Sequence, residues 1–126
     1  MPNSKVKKNI LVGDDVASIR MMFKNALEAK YHILLASDGQ DILMAFKNRP
    51  DIDLIVIDLK LPDTDGIKVI KAIREKNLNM PIIIITGYPT TENIMESKKL
   101  NVQGFYNKPF NMDVVCKKID SILSPS

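Results

Sequence analysis

The chain has 126 residues, 45% of them hydrophobic and 26% charged, and 18 Lys and Arg against 15 Asp and Glu leave a net charge of +3. These are the proportions of a soluble globule of one core, typically about 100–200 residues, so disorder, collagen and coiled coil are excluded and one domain over residues 1–126 is expected. The lone Cys116 has no partner for an internal bridge and fits a reducing compartment.

The first ten residues, MPNSKVKKNI, are basic but lack the apolar centre and small-residue cleavage site of a signal peptide. They lead into an apolar run, Ile10-Leu11-Val12, followed by helical spacing at Ile19, Phe23, Ala26 and Leu27. A second run covers Ile33 to Ala36, and Asp38 suits the N-cap of a helix whose apolar face carries Ile42, Leu43 and Phe46. The third run is Leu54 to Ile57, with Ile67, Ile70 and Ile73 on the helix after it. The fourth is Ile82 to Ile85. Its helix is predicted to start near Pro89-Thr90-Thr91-Glu92, with an acid in the first turn. That helix is weakly anchored, because between Thr90 and Asn101 only Ile94, Met95 and Leu100 are strongly apolar. The last run, Val102 to Tyr106, precedes Met112, Val115, Cys116, Ile119, Ile122 and Leu123, spaced by threes and fours, and the final helix is expected to end near Leu123.

Each run is continuous rather than alternating, as in strands buried on both faces of a parallel sheet. The stretches of about 15–25 residues between runs accommodate the crossover helices that parallel pairing requires. The pattern predicts an α/β fold, a doubly wound five-stranded parallel sheet of (βα)5 form. No apolar run approaches the ~20 residues of a membrane span, so a cytoplasmic protein is expected. The lysine doublets (Lys7-Lys8, Lys98-Lys99, Lys117-Lys118) are scattered and have few aromatics among them. That arrangement favours a solvated surface over direct nucleic-acid binding.

In such sheets, ligands bind beyond the carboxyl ends of the strands. The first strand ends in Asp14-Asp15, the third in Asp58, the fourth in Thr86 and the fifth in Lys108-Pro109. Two carboxylates about 4 Å apart repel by about 4 kcal/mol at an effective dielectric of 20, so this gathering implies a positive charge among them. Hard oxygen ligands suit Mg²⁺, which is commonly held by few carboxylates plus a phosphate. Taken singly, each residue has an ordinary structural explanation as a cap, a loop acid or a surface lysine. Taken together, they read as a site for a metal ion and a phosphoryl group.

The segments Ile10-Leu11-Val12-Gly13-Asp14-Asp15, Ile57 to Gly66 (IDLKLPDTDG), Ile85-Thr86-Gly87-Tyr88 and Lys108-Pro109-Phe110 resemble, in order and spacing, the receiver domain of bacterial two-component response regulators of the chemotaxis type. The likeness runs from about residue 8 to 123. It implies the flavodoxin-like strand order 2-1-3-4-5. It further implies that Asp58 accepts a phosphoryl group from a histidine of a sensor histidine kinase or histidine phosphotransfer protein. Asp14, Asp15, Asp58 and the Lys60 backbone carbonyl would hold Mg²⁺, and Lys108 and the Thr86 hydroxyl would contact the phosphoryl oxygens. Thr86 and Phe105 would move inward on phosphorylation and change the face made by the fourth helix, fifth strand and fifth helix, where an output protein or domain binds. The chemistry would be self-directed phosphotransfer and autodephosphorylation rather than enzymatic turnover, in a monomer or a phosphorylation-dependent dimer. The resemblance also implies a cis Lys108–Pro109 bond.

Two residues depart from the family pattern. Gly13 stands where a bulkier apolar residue is usual and can loosen that strand end. Phe105 has no hydroxyl, and that of Tyr106 is expected on the opposite face. His32, the only histidine, lies far from the acidic edge. Rival classes fare worse. A haloacid-dehalogenase-type phosphatase needs an acid two residues after its nucleophile, where Lys60 stands. A flavin or dinucleotide carrier would call for a Gly-x-Gly-x-x-Gly turn that follows none of the strands. A receiver reduced to a docking module has no need of all these site residues. The sequence fits a stand-alone regulator and a piece of a longer one equally.

Overall fold

The computed structural model describes residues 7–124, so most of the basic N-terminal stretch lies outside the described residues. Five strands alternate with five helices: β1 (Asn9–Gly13), α1 (Ala17–Leu27), β2 (His32–Ala36), α2 (Gly39–Asn48), β3 (Ile52–Asp58), α3 (Gly66–Lys76), β4 (Ile82–Thr86), α4 (Thr91–Lys99), β5 (Gly104–Asn107) and α5 (Met112–Leu123). All pairings are parallel and the order is β2-β1-β3-β4-β5, as expected. None of the described helices is long and apolar enough to cross a membrane.

Alternation along the strands divides the interior into two layers. Leu11, Ile55, Ile57, Ile82 and Ile84 pack with Ile42 of α2 and with Ile67, Ile70 and Ile73 of α3. Ile10, Val12, Leu54, Val56, Ile83 and Ile85 pack with Phe23 and Leu27 of α1 and with Val115, Ile119 and Leu123 of α5. Burial on both faces holds for β1, β3 and β4 but not for the outer strands. Leu35 of β2 is 39% exposed, and the residues of β5 are half-buried or exposed, because an edge strand has a neighbour on one side only. Ala26, placed on the buried face of α1 by spacing, is exposed. Val102 falls just before β5 rather than within it.

The caps follow sequence chemistry. Asp38 accepts from the Asp41 amide and Thr90 from the Asn93 amide, while Asp65 and Asn111 do the same for α3 and α5. The α4 helix is weakly anchored, as expected: Ser97 is its buried residue, and Met95 is exposed. Its C-terminal end is held by a residue that the sequence did not single out. The buried Arg74 guanidinium donates to the carbonyls of Asn77, Met80, Leu100 and Asn101 at 2.7–3.2 Å. Desolvation lowers its pKa, while the bonds to four carbonyls favour the charged form.

Gly13 does not loosen β1. A Cβ there would lie 2.3 Å from Ile42 Cδ1, so the Ile42 side chain already fills the space that a larger residue would take. Gly13→Val should therefore destabilise the protein by about 1–3 kcal/mol through overpacking. Ile42→Ala alone should cost about 2–5 kcal/mol. Thermal unfolding of the double variant is expected to recover most of both losses; simple addition of the two would show that Gly13 and Ile42 do not share this space.

Candidate functional site

The site lies at the carboxyl edge of the sheet, where β1 and β3 run side by side with Gly13 paired to Ile57. That register sets Asp14 and Asp58 next to each other. Asp14 is fully buried, Asp58 nearly so and Asp15 exposed, and the three offer carboxylate oxygens within 4.8 Å of one another. From the end of β5, Lys108 Nζ reaches both Asp58 Oδ2 and Asp14 Oδ2 at 2.9 Å. The Lys108 amide donates to the Thr86 carbonyl at 2.7 Å, and the Lys108–Pro109 bond is cis, as the resemblance implied.

Local bonds hold the acids in place. Asp14 Oδ1 accepts from the Val16 amide at 2.9 Å, its own amide donates to Ala36 O, and Arg20 Nη1 donates to its carbonyl at 2.7 Å. Asp58 Oδ1 accepts from the Lys60 amide at 3.2 Å. Asp14 Oδ2, by contrast, is buried with its ion pair to Lys108 as its one polar contact among the described residues. Burial raises the Asp14 pKa, against the opposing pull of the Val16 amide and Lys108. Burial alone would lower the Lys108 pKa, but its two carboxylate partners outweigh that and raise it.

Three carboxylates against one ammonium leave two negative charges in excess, which one divalent cation balances. The under-bonded Asp14 oxygen and an all-oxygen donor set fit Mg²⁺ better than a softer metal. Beside the acids a shallow cavity of about 230 Å³ is lined by Asp15, Asp58, Lys108, Gly87, Lys60 and Tyr88. Larger clefts, of about 400 and 650 Å³, lie between α2 and α3 and contain none of these acids. Charge rather than volume marks the site.

Of the residues assigned from sequence, Asp14, Asp15, Asp58 and Lys108 come together. Thr86 is buried at the end of β4, but its hydroxyl oxygen accepts from the Tyr88 amide at 3.0 Å rather than meeting Asp58. Phe105 is half-buried against the layer under α2 and α3, and Tyr106 against the other, so the two rings lie on opposite faces as expected. His32 is exposed at the start of β2. Sequence reasoning gave no role to Tyr88 or to the Lys60 side chain. Lys60 Nζ lies 4.4 Å from the centre of the Tyr88 ring and 3.3 Å from its hydroxyl, at the mouth of the site. The spacing Thr86-Gly87-Tyr88 was visible, but nothing in it linked that ring to Lys60.

Residues 10–120 match the response regulator receiver domain family. The chain is a response regulator receiver domain. It is 32% identical over 112 residues to sporulation initiation phosphotransferase F of Bacillus subtilis, covering 87% of this chain and 89% of that protein. It is 34% identical to the transcriptional regulatory protein RprY of Bacteroides fragilis over 93% of this chain and 50% of that one. It thus spans about half the length of the transcriptional regulator it matches there. Among solved structures, a CheY-like receiver domain protein from Methanospirillum hungatei superposes with a TM-score of 0.88 at 28% identity, covering 92% of this chain and 93% of that one. Receiver domains form a family of phosphorylation-activated signalling switches in two-component systems, typically Mg²⁺-dependent, and the acidic cluster of this receiver is compatible with that ion.

The charge imbalance has a thermal signature. In chelator, Asp14→Asn and Asp15→Asn should each melt above the parent, because each removes one member of a crowded anionic cluster. Mg²⁺ at 100 times its Kd should stabilise the parent by about 2.7 kcal/mol through binding to the native state alone, and each variant less. Identical melting temperatures for all three proteins with and without Mg²⁺ would remove the case for a metal site here.

Proposed function

We propose that this receiver takes a phosphoryl group from a phosphohistidine of a sensor histidine kinase or histidine phosphotransfer protein onto Asp58, and later releases it to water. The observation that carries this reading is the Lys108 ammonium set 2.9 Å from both Asp58 Oδ2 and Asp14 Oδ2, beside an open cavity. A carboxylate oxygen of Asp58 attacks phosphorus while the P–N bond to the donor imidazole breaks and its electron pair leaves with the imidazole. Water later attacks the same phosphorus and releases inorganic phosphate, regenerating the Asp58 carboxylate. Lys108 turns from Asp58 Oδ2 to the phosphoryl oxygens and stabilises the charge that builds up on them. Asp14, Asp15, Asp58 and the Lys60 backbone carbonyl would hold Mg²⁺, which when bound neutralises charge between the phosphoryl group and the acids.

Thr86 gives up its bond with the Tyr88 amide to reach the phosphoryl oxygens, and Phe105 follows it inward. The weak anchoring of α4 makes the α4–β5–α5 face the readiest to rearrange. We read residues 1–126 as a single receiver unit whose chemistry is directed at itself, in the cytoplasm, as a monomer or a phosphorylation-dependent dimer. The output partner on that face is read as an acidic protein surface rather than nucleic acid or membrane, steered by exposed Lys98, Lys99 and Lys117.

Two measurements test this. A small phosphodonor with Mg²⁺ should add one base-labile phosphoryl group per chain to the parent and none to Asp58→Asn, read by intact mass; equal labelling of both would refute the acceptor assignment. Reversal of Lys98 and Lys99 to Glu should slow association with the output partner by about tenfold at low salt, an effect that fades as salt rises, while small-donor labelling of Asp58 stays unchanged. Unaltered association would reduce these lysines to solvating charges.

A further inference from the structure

The loop between β3 and α3 carries Lys60, whose amide holds Asp58 Oδ1 and whose carbonyl the reading above assigns to Mg²⁺. The base of this loop is tied to itself: Lys60 and Asp65 form an antiparallel bridge, and the Gly66 amide donates to Leu59 O at 2.7 Å. Its tip is tied elsewhere. Asp63 Oδ1 accepts from the Gly39 amide at 2.8 Å and Asp63 Oδ2 from the Gln40 amide at 3.0 Å. These are first-turn donors of α2, which lack intrahelical partners and are not met by the helix's own cap, since Asp38 bonds Asp41 instead. Two acids from different parts of the chain therefore share one helix start.

Packing makes the fit close. A Cβ on Gly39 would lie 2.3 Å from Thr64 Cγ2 and 3.1 Å from Val69 Cγ2. The Thr64 methyl thus occupies the space that only a glycine at position 39 leaves open. The Gly39 amide bond also holds the Asp63 carboxyl below the ordinary carboxylate range, which keeps it ionised as an acceptor.

We propose that Asp63, with Thr64 seated on Gly39, is a positioning latch: it fixes the β3–α3 loop to the start of α2 and thereby sets Lys60 at the phosphoryl and metal site. Asp63 touches none of the reacting groups and acts through Lys60. The inference rests on the site reading above and goes beyond it by giving α2, an element that contributes no site residue, control over the site.

Four proteins test it, each measured for Mg²⁺ Kd, for the initial rate of labelling by a small phosphodonor, and for thermal midpoint in chelator. Asp63→Ala should weaken Mg²⁺ binding by about tenfold, the low end for loss of a group that supports a ligand, and slow labelling in step. Gly39→Ala should do the same without removing a carboxylate, because the added methyl displaces Thr64 and crowds Asp63 Oδ1 at 3.2 Å. Gly39→Ala combined with Thr64→Ser should restore both, since serine lacks the clashing methyl. Asp38→Ala removes the helix's own cap and should lower the midpoint while leaving Kd and rate as in the parent. Unchanged Mg²⁺ affinity in Asp63→Ala, or an equal loss in Asp38→Ala, would overturn the latch and leave Asp63 as a helix cap. A parent protein that neither binds Mg²⁺ nor is labelled would overturn the site reading itself, and the latch with it.

Discussion

The Lys108 ammonium, shared between Asp14 and Asp58, is the contact on which the arrangement depends. A unit charge 2.9 Å from each carboxylate contributes on the order of 5 kcal/mol apiece at an effective dielectric of 20, before desolvation is counted, and so outweighs the repulsion between the two acids. Without it, a fully buried Asp14 beside Asp58 would leave uncompensated charge at the end of the sheet. Even with it the cluster remains short of positive charge, which is compatible with a divalent cation there.

Holding such a cluster requires a rigid platform. The central strands β1, β3 and β4 supply it, packed on both faces by two dense aliphatic layers. Fit at the end of β1 and the start of α2 is equally tight: Ile42 fills the space above Gly13, and Thr64 the space above Gly39. In both places a residue on another element has taken the volume of a missing side chain. Glycine there reflects close approach by a neighbour rather than backbone freedom.

Rigidity is unevenly distributed. The end of α4 that leads into β5 is tied through the carbonyls of Leu100 and Asn101 to the buried Arg74 guanidinium, whereas the helix body buries Ser97 and leaves Met95 in solvent. Lys71 and Glu96 add an ion pair at 3.1 Å between α3 and α4, which solvent screening leaves weak. A helix fixed at one end and lightly packed elsewhere can change its tilt at small energetic cost. That suits the proposed role of this face in reporting events at Thr86 and Phe105.

The sequence by itself determined the number, order and type of the elements, because continuous aliphatic runs and helical spacing are local patterns. Asp38 as a cap, and the start of a helix near Thr90, were legible for the same reason. So was the identity of the candidate site residues, since strand ends in a parallel sheet share one edge and Asp14, Asp15, Asp58, Thr86 and Lys108 all stand at strand ends. Tertiary structure decided what local pattern does not encode. Continuous apolar runs look alike in central and edge strands, so the partial exposure of Leu35 and β5 became visible only with the strand order. Arg74 carries no local signature of its role, because the four carbonyls that close around it come from two separate connections, α3–β4 and α4–β5. The placing of Lys60 against Tyr88, and of Asp63 on the start of α2, likewise joins residues more than twenty apart in the chain. Such contacts depend on side-chain reach and on the volume that neighbours leave free, quantities fixed by the packed fold and absent from the order of the residues.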